Sequence, residues 1–251
     1  MNFSAESSRL VKIVGCSALA LLVALIARPL LAQDAKNPYP RMAPVAEYLM
    51  GRDAEIALAR SGAPASISRD ATVLVLGRHG YETAVQGTNG FVCFVERGFG
   101  APFDLPEFWS PKVRGANCIN PPAVRSVLPI IREKTELLMA GKSRAEVIAA
   151  LSASFAQKKL PALEPGALSY MMGKGSYLTD KGKHNVPHLM FYSASDDASW
   201  GANADGSPIG SISFWNLSDH AYPRLKELPS ITVFAIVMKA WSDGTSAIPK
   251  G

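Results

Sequence analysis

The order of strand-like and helix-like segments constrains the fold of this 251-residue chain most. Three short segments, at 72–76, 81–86 and 91–96, are apolar or alternating and rich in β-branched residues, which is typical of strands. Glycine-bounded turns separate them, and the second turn contains Asn89-Gly90, a pair that favours a tight hairpin. We expect these segments to form a three-stranded antiparallel meander.

Helical patterns fill the middle of the chain. Residues 45–60 and 122–140 place apolar side chains at helical spacing, although Pro129 predicts either a kink in the second segment or its true first turn. Ser143 and Glu146 have the spacing of a capping box, which predicts the start of a third helix.

Four more strand-like segments follow, at 167–172, 188–193, 211–215 and 231–239. Strands gathered at both ends of a chain, with helices between them, are typical of an α+β domain. We therefore expect an α+β fold whose mostly antiparallel sheet begins with the meander and is covered on one face by about three helices. Residues 99–122, rich in proline, glycine and aromatic residues, should form an ordered connection against the core.

The N-terminal segment has the composition of a secretory signal peptide. Arg9 and Lys12 precede an uninterrupted apolar run at 18–27, and the small residue Ala32 precedes a polar break. We expect cleavage of residues 1–32, which leaves a single α+β domain over residues 33–251 in the periplasm or the medium. The apolar run is shorter than the roughly twenty residues of a bilayer span, and an uncleaved anchor is the alternative.

Charge and hydropathy exclude two classes of partner. The formal net charge of +5 falls to +3 without the leader, which carries three basic residues and one acidic residue. The basic residues are scattered and form no stripe with interleaved aromatic residues, so we expect no nucleic-acid partner. No segment after the leader is apolar enough to cross a bilayer, so no stable membrane span is expected after cleavage. The oligomeric state stays open.

Two cysteines remain after the leader and its Cys16 are removed. An exported chain meets an oxidising compartment, where disulfides form and persist. We expect Cys93 and Cys118 to form one disulfide that closes a loop of about 25 residues. Two separate buried thiols are the alternative.

The histidines lie in motifs that are each incomplete. Arg78-His79-Gly80 resembles the phosphohistidine motif of histidine phosphatases, but a second strand follows almost at once, so a turn is the simpler interpretation. His184 and His188 have the spacing of zinc ligands on a helix, which Pro187 disfavours. Residues 201–212 match only part of a calcium loop. The sequence therefore predicts no metal site, implies no cofactor and assigns no catalytic residue.

Histidine, aromatic and amide side chains are most concentrated between residues 184 and 215. Small-ligand sites combine apolar walls with a few polar groups, and the alternative is a sheet edge with elaborate loops. The candidate ligand-binding residues are His184, His188, Tyr192, Trp200 and Asn203. The predicted function is small-ligand binding or an accessory role. A secreted hydrolase with His79 or His188 as the acid/base group is the alternative, because histidine titrates near neutral pH.

Several stretches of the chain resemble a family of uncharacterised exported bacterial proteins. They are residues 52–61, 80–93, 164–172 and 187–192, together with Trp200-Gly-Ala-Asn203 and Trp241-Ser-Asp-Gly-Thr245. The resemblance spans most of the mature chain and implies a bacterial, exported, single-domain protein. It transfers no activity, substrate or catalytic residue.

Overall fold

An eight-stranded sheet runs through the computed structural model, which describes residues 37–182, 184–195, 198–215 and 222–248. The strands are β1 Thr72–Leu76, β2 Tyr81–Val85, β3 Val92–Glu96, β4 Gly115–Ile119, β5 Leu168–Met171, β6 His188–Ser193, β7 Ile209–Ser213 and β8 Thr232–Val237. Their order is β2-β1-β3-β4-β5-β6-β8-β7. Every neighbouring pair of these described strands is antiparallel except β1–β3. The predicted α+β class with a mostly antiparallel sheet is confirmed, and the predicted signal peptide lies outside the described residues.

The first three strands lie where the sequence predicts them, but they do not form a meander. β1 and β2 form the expected antiparallel hairpin, whereas β3 runs parallel to β1 and pairs with it on the side away from β2. The reason lies in the turn after β2, which crosses the start of β1. The backbone amides of Thr88 and Asn89 donate to the carbonyl of Asp70. A Cβ on Gly87 would lie 2.2 Å from the backbone nitrogen of Thr72, so a glycine is needed at the crossing.

Five α-helices occur among the described residues, and three of them have nine or more residues. They are α1 Arg52–Arg60, α2 Ala65–Ser68, α3 Pro121–Ser126, α4 Leu128–Met139 and α5 Arg144–Ala156. The predicted helix over 45–60 is divided into a 3-10 turn and α1, because the chain is extended at Leu49 and Gly51. Pro129 lies in the first turn of α4, and the predicted capping box of Ser143 and Glu146 begins α5. No helix in the described part of the chain is long and apolar enough to cross a membrane.

Helices cover both faces of the sheet, not one face as the sequence suggested. On one face α1 packs against β1, β3 and β4 beside Val73 and Cys93. On the other face, helices α3 to α5 share a hydrophobic core with Leu74, Phe94 and Ile119. Because β1 and β3 are buried on both sides, their sequences are nearly continuous apolar runs.

The predicted disulfide between Cys93 and Cys118 is present. The two residues lie directly opposite each other on β3 and β4, with Cα atoms 4.0 Å apart, and both are fully buried on the α1 face. The bond therefore joins two strands in the middle of the sheet.

The chain between β3 and β4, which we call the 97–114 connection, is ordered and packs against the core, but the predicted connection over 99–122 was too long, because it also contains the strand β4 and the start of α3. Its buried aromatic residues are Phe99, Phe103, Phe108 and Trp109. The buried Lys134 of α4 holds its first part, because Nζ donates to the carbonyl oxygens of Ala101 (2.6 Å) and Gly100 (3.3 Å). Burial lowers the pKa of Lys134 to about 7.

Loss of the disulfide should destabilise the protein. In Cys93→Ala/Cys118→Ala we expect the free energy of unfolding to fall by about 3 kcal/mol, because the unfolded chain is no longer restricted. Urea unfolding with and without dithiothreitol measures this. Reduction should destabilise the wild type and leave the double variant unchanged; a fully reduced wild type of undiminished stability would contradict the prediction.

Lys134 should make stability depend on pH above neutrality. An unfolded lysine has a pKa near 10.4, whereas the pKa of Lys134 in the fold is about 7. Between these values the unfolded chain binds more protons, so stability rises with pH. From pH 7 to about 9.5, the wild type should gain at least about 1 kcal/mol relative to Lys134→Met.

Urea unfolding at both pH values tests the Lys134 prediction. Lys159→Met, which changes an exposed lysine, is the matched control and should keep the wild-type rise. The same pH dependence in the wild type and in Lys134→Met would refute the assignment.

Candidate functional site

A cavity of about 360 Å³ lies between strands β6 to β8 and the 97–114 connection. Its apolar lining includes Met190, Ile212, Val233 and Ala235 from the strands, Ala101, Pro102 and Leu105 from the connection, and Ile131 from α4. Helices α3 to α5 cover the same face of the sheet at β1, β3 and β4. At β6 to β8 this face is covered instead by the connection, and space remains between the two.

The carboxyl group of Glu96 lies at the surface of this cavity. Glu96 ends β3 and shares a face of the sheet with Phe94, because side chains alternate along a strand. Its Oε2 accepts a hydrogen bond from Nδ2 of Asn117 at 3.1 Å, while Oε1 has no hydrogen-bond partner among the described residues. A Cβ at Gly100 would lie 2.6 Å from that Oε1, so this glycine leaves room for the carboxyl.

Burial raises the pKa of Glu96 above that of an ordinary glutamate. The hydrogen bond from Asn117 and the positive charge of Lys134 act in the opposite direction and are smaller effects. The neutral acid is therefore more accessible at Glu96 than at a solvated glutamate.

His188, the first residue of β6, lines the same cavity. Its Nδ1 lies 2.7 Å from the carbonyl oxygen of Val186 and must carry the hydrogen, because a carbonyl only accepts. In the neutral ring, Nε2 then has a lone pair, and it has no hydrogen-bond partner within the described ranges. Burial lowers the pKa of His188, which favours this neutral form.

Two other charged groups at the cavity are already engaged. The carboxylate of Glu107 accepts hydrogen bonds from the side chain of Thr179 and the backbone amide of Asp180. The guanidinium of Arg97 donates to Glu55 and to two backbone carbonyls. Both hydrogen bonds to Glu107 end on its Oε1, so acceptor atoms without a partner in the described part of the chain are found at Glu96, His188 and Oε2 of Glu107.

The structure places two of the five predicted ligand-binding residues together at the cavity. His188 and Tyr192 lie on the same side of β6, and both line the cavity. Burial raises the pKa of Tyr192, and its hydroxyl donates to Oγ of Ser169 at 3.4 Å.

Trp200 and Asn203 lie on the opposite side of the sheet or at its edge. The ring of Trp200 stacks on Phe234 with the centroids 4.9 Å apart, and Phe234 alternates on β8 with the cavity residues Val233 and Ala235. The amide of Asn203 exchanges hydrogen bonds with the backbone of Ser211. Asn203 thus pairs with the edge strand β7.

The other two candidate histidines lie outside the cavity lining. His184 stacks on Tyr177 at 4.3 Å between ring centroids, and its Nδ1 is 2.7 Å from the carbonyl oxygen of Thr179. His79 is exposed in the turn between β1 and β2.

The sequence interpretation missed Glu96, Asn117 and Lys134. The sequence did contain a signal for Glu96. It ends an apolar run two residues after Phe94, and an aromatic, glycine-rich segment follows it. Those features together indicate a carboxyl that faces apolar surroundings rather than solvent. Lys134 lies in an amphipathic helix, where its spacing from Ile130 and Leu138 placed it on the apolar face.

Among the described residues, no group of three or more His, Cys, Asp or Glu side chains is placed to hold a metal ion. No known protein family, no curated protein and no solved structure matches this chain.

Proposed function

We propose that this is an exported protein that binds a small, largely apolar molecule between β6–β8 and the 97–114 connection. The observation that carries the proposal is the cavity itself, whose volume of about 360 Å³ falls within the range of small-molecule sites. Its walls are mostly apolar, and they include Glu96 and His188, each of which keeps one polar atom without a partner among the described residues. This combination is the one that small-ligand sites use.

The driving force for binding would come from the apolar walls. Leu105, Met190 and Ile212 are partly exposed, so water contacts apolar surface on both sides of the space. Removing apolar surface from water is favourable by about 25 cal/mol per Å². A ligand that fills the space would gain this energy without a large change in the protein, because the walls already stand apart.

Export to the periplasm or the medium is part of the proposal. The disulfide between Cys93 and Cys118 supports it, because such bonds persist mainly in oxidising compartments. The signal-peptide composition of the first 32 residues and the resemblance to exported bacterial proteins point the same way.

Filling the cavity should abolish binding of an apolar probe. N-phenyl-1-naphthylamine, whose fluorescence rises in apolar surroundings, should bind the wild type, and Ala235→Phe should weaken that binding about tenfold or more, a loss of at least about 1.4 kcal/mol. Ala235 faces the cavity, whereas the next residue, Ile236, points to the other side of β8.

Ile236→Phe is therefore the matched control for Ala235→Phe and should bind the probe as the wild type does. Fluorescence titration gives the three dissociation constants. A wild type that does not bind the probe, or an Ala235→Phe variant that binds it equally well, would count against the proposal.

Hydrolysis at the same cavity is a second candidate function. The observation that favours it is His188, whose neutral ring has a lone pair on Nε2 and which lines the same cavity as Glu96. A general base needs such a lone pair. His188→Ala should then abolish turnover of p-nitrophenyl butyrate, while His184→Ala should keep it. A wild type with no turnover above the buffer rate would rule this candidate out.

A further inference from the structure

We propose that the molecule bound in this cavity is an apolar amine whose ammonium group pairs with the carboxylate of Glu96. The inference rests on the proposed binding function and adds the chemical class of the ligand. It follows from three features of the cavity, namely the kind of hydrogen-bonding atoms available, the charge around Glu96 and the way its carboxyl is held.

The atoms available to a ligand are acceptors. They are Oε1 of the Glu96 carboxylate, Nε2 of His188, whose Nδ1 holds the hydrogen, and Oε2 of Glu107, whose Oε1 takes both of its hydrogen bonds. The donors of Arg97 bind Glu55 and backbone carbonyls. A ligand that satisfies this cavity must therefore supply the N–H or O–H groups itself.

The charge around Glu96 favours a cation over a neutral donor. Lys134 is near enough to affect Glu96 electrostatically, but its ammonium donates to the carbonyl oxygens of Gly100 and Ala101. The described ion pairs contain no partner for the Glu96 carboxylate. A carboxylate beside an apolar cavity without an ion-pair partner is costly, and a ligand ammonium would provide that partner.

The carboxyl is positioned before any ligand arrives. Asn117 of β4 binds Oε2, and Gly100 leaves the room that Oε1 occupies. A group that is already oriented loses little conformational freedom on binding, which raises affinity. The same carboxylate would repel an apolar anion such as a fatty acid.

The remainder of the ligand would lie against apolar side chains. Met190, Ile212 and Ala235 form a continuous apolar strip across β6, β8 and β7, because they face the same side of the sheet. An alkyl or aryl group joined to one primary amine matches this arrangement.

Three ligands of equal length and different head groups test the inference. Octylamine, octanol and octanoate are each titrated against bound N-phenyl-1-naphthylamine at neutral pH. In the wild type, the concentration of octylamine that displaces the probe should be lower than that of octanol by about tenfold or more. Octanoate should be the weakest of the three ligands.

Two variants assign the preference to one carboxyl. Glu96→Gln keeps the shape of the side chain and an oxygen for Asn117, and it should remove the advantage of octylamine while leaving octanol unchanged. Glu107→Gln alters the other carboxyl at the cavity, which is already bound by Thr179, and should keep the preference.

Each outcome has one meaning. If the wild type does not bind the probe, the proposed function fails; if it binds the probe without preferring octylamine, only the ligand class is wrong. A preference that persists in Glu96→Gln would overturn the role of Glu96. The comparison of the three ligands in the wild type decides the class even if the Glu96 variant does not fold.

Discussion

A buried ion pair between Glu55 and Arg97 is the interaction on which the arrangement around the cavity depends. The two side chains are 1% and 0% exposed, with Nη2 of Arg97 2.8 Å from Oε1 of Glu55. The same oxygen accepts the backbone amide of Leu76, while Arg97 also donates to the carbonyls of Tyr48 and Val95. One pair thereby joins α1, β1, β3 and the 3-10 turn before α1. Removing one partner would leave the other charge buried, which typically costs about 3–5 kcal/mol.

Arg97 is also the first residue of the connection that forms one side of the cavity, so the ion pair determines where that side begins. The carbonyl oxygen of Tyr48 accepts a hydrogen bond from Arg97, and the hydroxyl of Tyr48 donates one to the carbonyl of Trp109, further along the connection. Lys134 binds the backbone between these two points. The connection is thus held at three places by polar contacts with the rest of the fold.

Local signals in the sequence were sufficient to predict most helices and strands, but they could not predict which strands lie next to each other in the sheet. The capping box at Ser143 and the strand at 188–193 depend on nearby residues, so both could be predicted. The parallel pairing of β1 with β3 could not, because Asn89-Gly90 looks the same in a hairpin as in a turn that crosses a strand. The site was harder still. Tyr192 faces the cavity from β6, whereas Trp200 lies in a 3-10 turn and stacks on Phe234 at the opposite face of the sheet. Glu96 comes from a strand almost a hundred residues earlier.

The needs of folding explain the position of Lys134 beneath the connection better than they explain that of Glu96. Lys134 binds two carbonyls and packs 4.2 Å from the ring centroid of Phe103, so its burial fixes the backbone. Glu96 fixes less, since one oxygen binds Asn117 and the other binds no described residue. An apolar side chain there would avoid the cost of burying a carboxyl. A carboxyl that leaves one oxygen unbound beside an open apolar space is therefore consistent with the ligand-binding role that we propose for Glu96.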